Sequence, residues 1–563
     1  MQTDRPVRPG RLRLLFAIFA IASLVLAGRL AYWQTFGRAE LLARATDQVR
    51  SDLVVAAKRG VIRDRNGAIL ATTVELRSLY AIPKRIPDHA LAARQLGVLL
   101  GRDPAPILAA FDSDREWLYV QRWLPEESAR AIDALRIPGL GFQNEPKRLY
   151  PNDSIGAAVL GFVNDNGDGI NGIEGYYDAM LRGTDGRLVV ERDPANRDLA
   201  VGLREAVAPR NGADLTLTID LVAQTAAERE LGAAMKKEHA TSGSITILDP
   251  TDGSVRAIAS APTYDPSAVR LADPESLRDR AIAWPYEPGS TLKAMTIAAG
   301  INEHLVRPGD SYNDVGYAIV GGRRLNNALG KAYGPTTVSQ ILERSLNAGA
   351  AWVGQKIGAQ RLADYFQLFG FGRPTGIDLA GEVSGIVRPL AEWYPVDVGT
   401  ASFGQGMSVT PLQLAVAYSA IANGGTIFRP YVVAARRDAD GEHRTAPVTV
   451  TRVVTSDTAA TLRGMLLSTV DNGIAHNASI PGFSVAGKTG TAQIASPDGS
   501  YVDDLYVSSF AGMFPANDPK YVVLVVLEKP DSRLLGTLTA TDVFKGVAQD
   551  ILRYARIQPD RRP

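Results

Sequence analysis

At 563 residues the chain is too long for one ordinary domain, and two to four are expected. A composition 45% hydrophobic and 21% charged fits a globular chain with a sizeable core, and a formal net charge of +1 supplies no basic field for nucleic acid. The absence of Cys excludes disulfides, thiolate metal sites, a Cys nucleophile and a lipoprotein anchor, and the five scattered His residues (His89, His239, His304, His443, His476) argue against a metal centre or a Ser-His-Asp triad.

Leu14 to Ala27 is apolar apart from Ser23, and Leu30–Trp33 extends the run past Gly28 and Arg29. At 1.5 Å per residue Leu14–Trp33 reaches about 30 Å, one bilayer core. Tyr32 and Trp33 suit the far interface, with Arg29 snorkelling toward it. Arg5, Arg8, Arg11 and Arg13 precede the run, so the positive-inside rule keeps that end in the cytoplasm and exports the chain beyond the run. Ala43-Arg44-Ala45 has the small-x-small form of a cleavage site but lies well beyond the apolar run, so we read residues 14–33 as an uncleaved single-pass anchor after a 1–13 cytoplasmic tail.

Glu40–Arg50 reads as a short helix. Arg59–Ala71 reads as a hairpin, with Asn66-Gly67 as its turn. Pro87 to about Asp133 is expected to be helical; Asn164–Gly172 is a loop and Gly175–Arg182 a short helix. Residues 34–210 form a mixed, non-catalytic module with several strands, ending at the break Pro209-Arg210-Asn211-Gly212.

Beyond it Leu215–Ile219 is a strand, Asp220 the N-cap of a helix near Ala223–Met235, and Ser242–Leu248 and Ser254–Ala259 are strands. Pro288-Gly289 breaks the chain before a helix that opens at Ser290. Val338–Ile357 reads as one helix and Pro411–Ala422 as another. Ser484–Ile494, Tyr506–Met513 and Tyr521–Leu527 are strands, Pro497–Ser500 a turn, and Thr539–Ala555 a closing helix. Strands early and late with helices between predict an antiparallel sheet assembled from both ends of residues 211–556, followed by a short tail, 557–563.

The chemistry lies in three short motifs. Ser290 at a helix N-terminus has Lys293 one turn on, on the same face. A serine needs a base, and a lysine serves if burial and a neighbouring positive charge lower its pKa. Alone, Ser-x-x-Lys arises about once by chance in a chain of this length. Here it is followed in order by Ser345-x-Asn347 and Lys488-Thr489-Gly490-Thr491. Ser345 can relay a proton, Asn347 can orient Lys293 and a substrate amide, and Lys488 supplies the positive charge. Thr489 and Thr491 can bind a substrate carboxylate, Gly490 lets a substrate backbone lie on the strand edge, and the N–H groups of Ser290 and Thr491 suit an oxyanion.

With these motifs, the anchor, Arg59–Ala71, Arg148-x-Tyr150-Pro151, Gly172-x-Glu174-Gly175, Leu181-x-Gly183, Leu215–Leu221, Phe403-Gly404-Gln405-Gly406 and Thr410-Pro411-Leu412-Gln413, the chain resembles the class B penicillin-binding proteins over nearly its whole length. The resemblance implies an α+β multidomain protein: an N-terminal transmembrane helix, a non-catalytic pedestal or dimerisation-type module, and a penicillin-binding/β-lactamase-like transpeptidase domain. It implies a D,D-transpeptidase that acylates Ser290 with a peptidoglycan stem peptide, needs no cofactor or metal, and is acylated by β-lactams. No acidic glycosyltransferase motif is found, so polymerisation of the lipid-linked glycan falls to a partner, by resemblance a SEDS-family (FtsW/RodA-type) enzyme among other divisome proteins.

Asn347 and the Pro497–Tyr506 segment look like the septal (FtsI-type) branch, the elongation-type branch being the alternative. Leu346, where the family often has a small or polar residue, is expected to bear on acceptor or drug fit. A β-lactamase would need a group that activates a deacylating water, and none is identified; a carboxypeptidase differs in passing the acyl group to water. A non-catalytic divisome scaffold should have lost Ser290 or Lys293, and a β-lactam sensor needs a cytoplasmic output domain.

Overall fold

The computed structural model describes residues 9–40, 50–191, 204–495, 501–531 and 536–561. The turn expected at Pro497–Ser500 and most of the helix expected over Glu40–Arg50 lie outside the described residues. The chain folds as two compact units.

The first unit takes Met1–Lys58 and Gly183–Asn211. Its helix α1 (Pro9–Thr35) contains a Gly10–Thr35 span of mean hydropathy 2.3, none of it buried against protein. Leu14, Phe16, Phe19 and Leu24 project outward, as a lipid-facing helix requires. Among its described residues the unit also holds a three-stranded antiparallel sheet, β1 (Arg50–Val55) on β6 (Gly186–Glu191) on β7 (Arg204–Val207).

The second unit takes Arg59–Arg182 and Gly212–Pro563. It opens with the expected hairpin, β2 (Ile62–Arg63) against β3 (Ile69–Ala81), where Gly67 takes φ +91° and Asp64 accepts the N–H groups of Asn66 and Ala68. β3 also pairs with β4 (Leu118–Leu124) and β5 (Leu140–Leu149). Helices α2 (His89–Leu100), α3 (Pro104–Phe111) and α4 (Glu126–Asp133) cover it, with Leu79, Leu96, Phe111, Leu118 and Ile132 in the core between.

The helical reading of Pro87–Asp133 therefore fails in one place. Leu118-Tyr-Val-Gln-Arg-Trp-Leu124 is rich in aromatic and β-branched residues, and partners on β3 make it a strand. The sheet continues through β8 (Asp214–Leu217), parallel to β2, to the hairpin β11 (Val433–Asp438) and β12 (Gly441–Arg444). Strands from far apart in sequence thus share one sheet of seven.

The expected antiparallel sheet is present, in order β10-β9-β15-β14-β13: β9 (Ser242–Leu248), β10 (Val255–Ala261), β13 (Ala486–Ala495), β14 (Tyr501–Phe514) and β15 (Tyr521–Glu528). The period-2 alternation of a strand divides β15 between two cores. Val523, Val525 and Leu527 meet α5 (Leu221–Glu238) and the closing helix α10 (Gly536–Tyr554), whose Leu231, Phe544 and Val547 share that core. Val522, Leu524 and Val526 join the larger core of α6 (Lys293–Asn302) and α9 (Pro411–Ala422), with Met295, Ile297, Leu412 and Tyr418. Asp220 caps α5 as expected, accepting from Val222 and Ala223 N–H at 3.0 and 3.4 Å.

Candidate active site

The helix expected to open at Ser290 begins as a tight 3-10 turn, Gly289–Leu292, that runs into α6. Two contacts hold the turn from behind: Thr291 Oγ1 donates to the Pro288 carbonyl (2.6 Å), and the buried Tyr418 hydroxyl of α9 donates to the Thr291 carbonyl (2.7 Å). Gly289 takes φ +54°, and its N–H reaches the Gly404 carbonyl at 3.0 Å. A Cβ on Gly404 would stand 2.3 Å from the Gly289 carbonyl oxygen, so the Phe403–Gly406 turn packs this close only with glycine there. Ser290 is left half-exposed while Lys293 is buried to 0%.

The single helix expected over Val338–Ile357 is two, α7 (Val338–Glu343) and α8 (Asn347–Ile357), and the break is the Ser-x-Asn motif itself. Ser345 has φ +57°. Its N–H donates to the Leu342 carbonyl (3.2 Å), and the Leu346 N–H donates to the Ile341 carbonyl (2.9 Å). That is a Schellman ending, with serine in the left-handed position usually held by glycine. The motif also calls for a hydrophobic contact between the next residue and the last turn, which accounts for Leu346. Its side chain is 2% exposed, in the same core as Ile341. Any bearing of Leu346 on acceptor or drug fit therefore runs through the turn it anchors, since its side chain lies in the core.

The left-handed turn aims both the carbonyl and the hydroxyl of Ser345 at Lys293. Lys293 Nζ lies 2.6 Å from the Ser345 carbonyl oxygen, 2.8 Å from Asn347 Oδ1, 2.9 Å from Ser290 Oγ and 3.3 Å from Ser345 Oγ. The first two partners can only accept. A neutral amine has two N–H groups for them and one lone pair left for the Ser290 hydroxyl, the arrangement a base needs. The neutral form is favoured because burial, then the charge of Lys488, drives the Lys293 pKa well below the usual lysine value.

Lys488 lies on β13, the edge strand, and is also buried to 0%. Its Nζ reaches Ser345 Oγ at 2.9 Å and the Thr489 carbonyl at 3.0 Å, so Ser345 Oγ bridges the two amines. Burial lowers the Lys488 pKa to about 7. Among the described residues, every hydrogen-bond partner of the two amines is neutral. Gly490 faces the nucleophile's turn: a Cβ there would stand 2.9 Å from Thr291 Cγ2 and 2.5 Å from Ser509 Oγ. Thr489 is buried, with Oγ1 3.4 Å from Lys488 Nζ, whereas Thr491 is exposed at the strand's free edge.

The fold thus joins Ser290, Lys293, Ser345, Asn347 and Lys488 in one hydrogen-bonded network centred on Lys293 and Ser345, with Thr489, Gly490 and Thr491 beside them. Sequence reasoning gave no role to Glu287. It accepts the Gly406 N–H (2.8 Å) and the Tyr501 hydroxyl (3.1 Å), tying the start of β14 to the turn before Ser290. It also passed over Asp314, Asn326 and Asn327, a polar cluster whose members carry no spacing signal.

Two family models match the chain: the penicillin-binding protein dimerisation domain over residues 54–217 and the penicillin-binding protein transpeptidase domain over residues 243–550. Stage V sporulation protein D of Bacillus subtilis is 32% identical, covering 98% of this chain and 86% of that protein. The peptidoglycan D,D-transpeptidase FtsI of Escherichia coli is 31% identical, over 98% of this chain and 92% of that protein. Penicillin-binding protein 3 from Mycobacterium tuberculosis, solved with aztreonam, superposes with a TM-score of 0.71 at 28% identity, over 90% of this chain and 98% of that chain. With its apolar N-terminal helix this is a single-pass membrane protein. A transpeptidase domain preceded by a dimerisation domain, each matched by its own family model, places the chain among the class B penicillin-binding proteins.

Proposed function

We propose that this protein is the septal D,D-transpeptidase of its cell, cross-linking peptidoglycan stem peptides through an acyl-enzyme on Ser290. The observation that carries the chemistry is the Lys293 amine, with two carbonyl acceptors at 2.6 and 2.8 Å and its remaining valence on Ser290 Oγ at 2.9 Å. Lys293 takes the Ser290 proton as Oγ attacks the penultimate D-alanine carbonyl. The N–H groups of Ser290 and Thr491 hold the oxyanion. The proton passes through Ser345 to the leaving amine, and terminal D-alanine departs. The amine of a neighbouring strand then attacks the acyl-enzyme, surrendering its proton along the same path to Ser290 Oγ. Lys488 keeps Lys293 neutral by charge, and Thr491, exposed at the strand edge, takes the substrate carboxylate, with the buried Thr489 behind it against Lys488. A β-lactam opens on Ser290 in the donor's place.

The septal assignment is supported by the likeness to FtsI and by Asn347 at the third position of its motif. Residues 34–210 serve as the non-catalytic module and 211–556 as the transpeptidase domain. The arginines before the apolar run, Arg5, Arg8, Arg11 and Arg13, hold the N-terminus in the cytoplasm, with the catalytic unit outside the inner membrane. Glycan polymerisation falls to a SEDS-family membrane glycosyltransferase within the divisome. Depleting the protein tests the assignment: filaments with unconstricted division sites are expected, and swollen, rounded cells that still divide would reassign it to elongation.

A further inference from the structure

Lys293 acts on Ser290 only if Asn347 presents its oxygen and not its nitrogen. A reversed carboxamide would offer N–H to the amine, and the lone pair would turn from Ser290 to accept it. The element that decides this lies outside the three motifs. Helix α8 starts at Asn347 with Leu346 in the N-cap position, and a leucine has no group to cap the first turn. The cap comes from across the chain: Asn327 Oδ1 accepts the buried Ala348 N–H at 2.9 Å. Beside it the Asn326 carbonyl accepts Asn347 Nδ2 at 3.1 Å, which leaves Asn347 Oδ1 for Lys293 at 2.8 Å.

Asn327 is fixed in turn. Its Nδ2 donates to both oxygens of Asp314 at 3.0 Å each and to the Lys331 carbonyl at 3.1 Å; its N–H reaches the Gly316 carbonyl at 2.9 Å. A carboxylate can only accept, so the Asn327 amide has one orientation. Asp314 is 1% exposed, and three further neutral donors hold it: Gly316 N–H (3.3 Å), Tyr333 N–H (3.1 Å) and Tyr312 O–H (3.2 Å).

We propose that Asp314 and Asn327 are positioning residues of the Ser290 reaction: by seating Ala348 and the Asn326 carbonyl together, they hold the Asn347 oxygen on Lys293. The chain of contact runs Asp314, Asn327, Ala348 and Asn347, Lys293, Ser290. This rests on the acylation reading above.

The test is stopped-flow acylation by a fluorescent penicillin against pH, with thermal melting of each variant. Asn327→Ala removes the cap; an acylation constant about tenfold or more below wild type is expected, since small misplacements of reacting groups cost up to about a hundredfold. Its acidic limb should move to lower pH, because Lys293 loses an acceptor that favours its charged form. Asn327→Asp sets two carboxylates face to face and should slow acylation further. Adding Asp314→Asn restores an amide–carboxylate pair with its polarity reversed, leaves an oxygen for Ala348 N–H, and should recover rate. This exchange carries the test if Asn327→Ala does not fold. Acylation by Asn327→Ala within twofold of wild type, a loss that only follows the folded fraction with the acidic limb unmoved, or a double variant no faster than Asn327→Asp would each overturn the positioning role. A wild type that is not acylated would overturn the underlying reading, and this proposal with it.

Discussion

Ser345 stands where a Schellman motif normally has glycine, and that separates its backbone duty from its hydroxyl. At φ +57° a side chain meets the following carbonyl, at a cost of about 1–2 kcal/mol that glycine avoids. Glycine gives back about 0.4–1 kcal/mol through the freer unfolded chain. Ser345→Gly should therefore be more stable than Ser345→Ala by about 1 kcal/mol, although both lose the same hydroxyl. That hydroxyl bridges Lys488 at 2.9 Å and Lys293 at 3.3 Å, so removing it should slow acylation about a hundredfold in both variants, the usual scale of a lost proton-transfer group. Paired urea or thermal unfolding reads the first quantity, and second-order acylation by a chromogenic cephalosporin the second. Equal stability of the two variants would refute the strained-turn argument. A Gly variant that acylates at wild-type speed would refute the relay.

The charge of Lys488 helps hold Lys293 neutral, so Lys488→Met should raise the Lys293 pKa and move the acidic limb of the acylation profile to higher pH; an unmoved limb would remove Lys488 from that role. The same burial predicts a stability profile. Lys488 titrates at about 7 when folded, against about 10.4 for free lysine, so between those values the unfolded chain binds more protons. Stability should rise with pH across that window and fall back as pH drops to about 7, with a shallower rise in Lys488→Met. Glu174, fully buried, receives Arg148 Nε at 2.7 Å and Arg59 Nε at 2.8 Å. Glu174→Ala leaves the buried Arg148 guanidinium without its carboxylate, while Arg59 keeps Asp178 at 2.8 Å, and should cost about 3 kcal/mol in urea unfolding; a loss under about 1 kcal/mol would contradict the reading. Tyr501→Phe removes one of two donors to Glu287 and should slow acylation severalfold with little change in melting, whereas an unchanged rate would show that this tie does not shape the site.

The large features were legible because each rests on a local signal. The apolar length of α1, the Asn66-Gly67 turn, the Asp220 cap and the alternation in β14 and β15 are written within windows of a few residues. So are the three motifs, whose order in the chain stands in for their meeting in space. The features that escaped reading depend on partners far along the chain. Leu118–Leu124 is a strand because β3 lies beside it. The break at Ser345 was hidden because serine sits where glycine would have announced it, and the burial of Leu346 follows from that turn. Asn327 caps a helix 21 residues away, a relation that spacing does not encode.

The central claim is that a buried, neutral Lys293 makes Ser290 an acylable nucleophile. Intact-protein mass spectrometry of the protein incubated with a penicillin, wild type beside Ser290→Ala, tests it most directly. One lasting adduct of the drug's mass on wild type and none on Ser290→Ala is the predicted result. Wild type without an adduct, or an adduct that persists in Ser290→Ala, would contradict it.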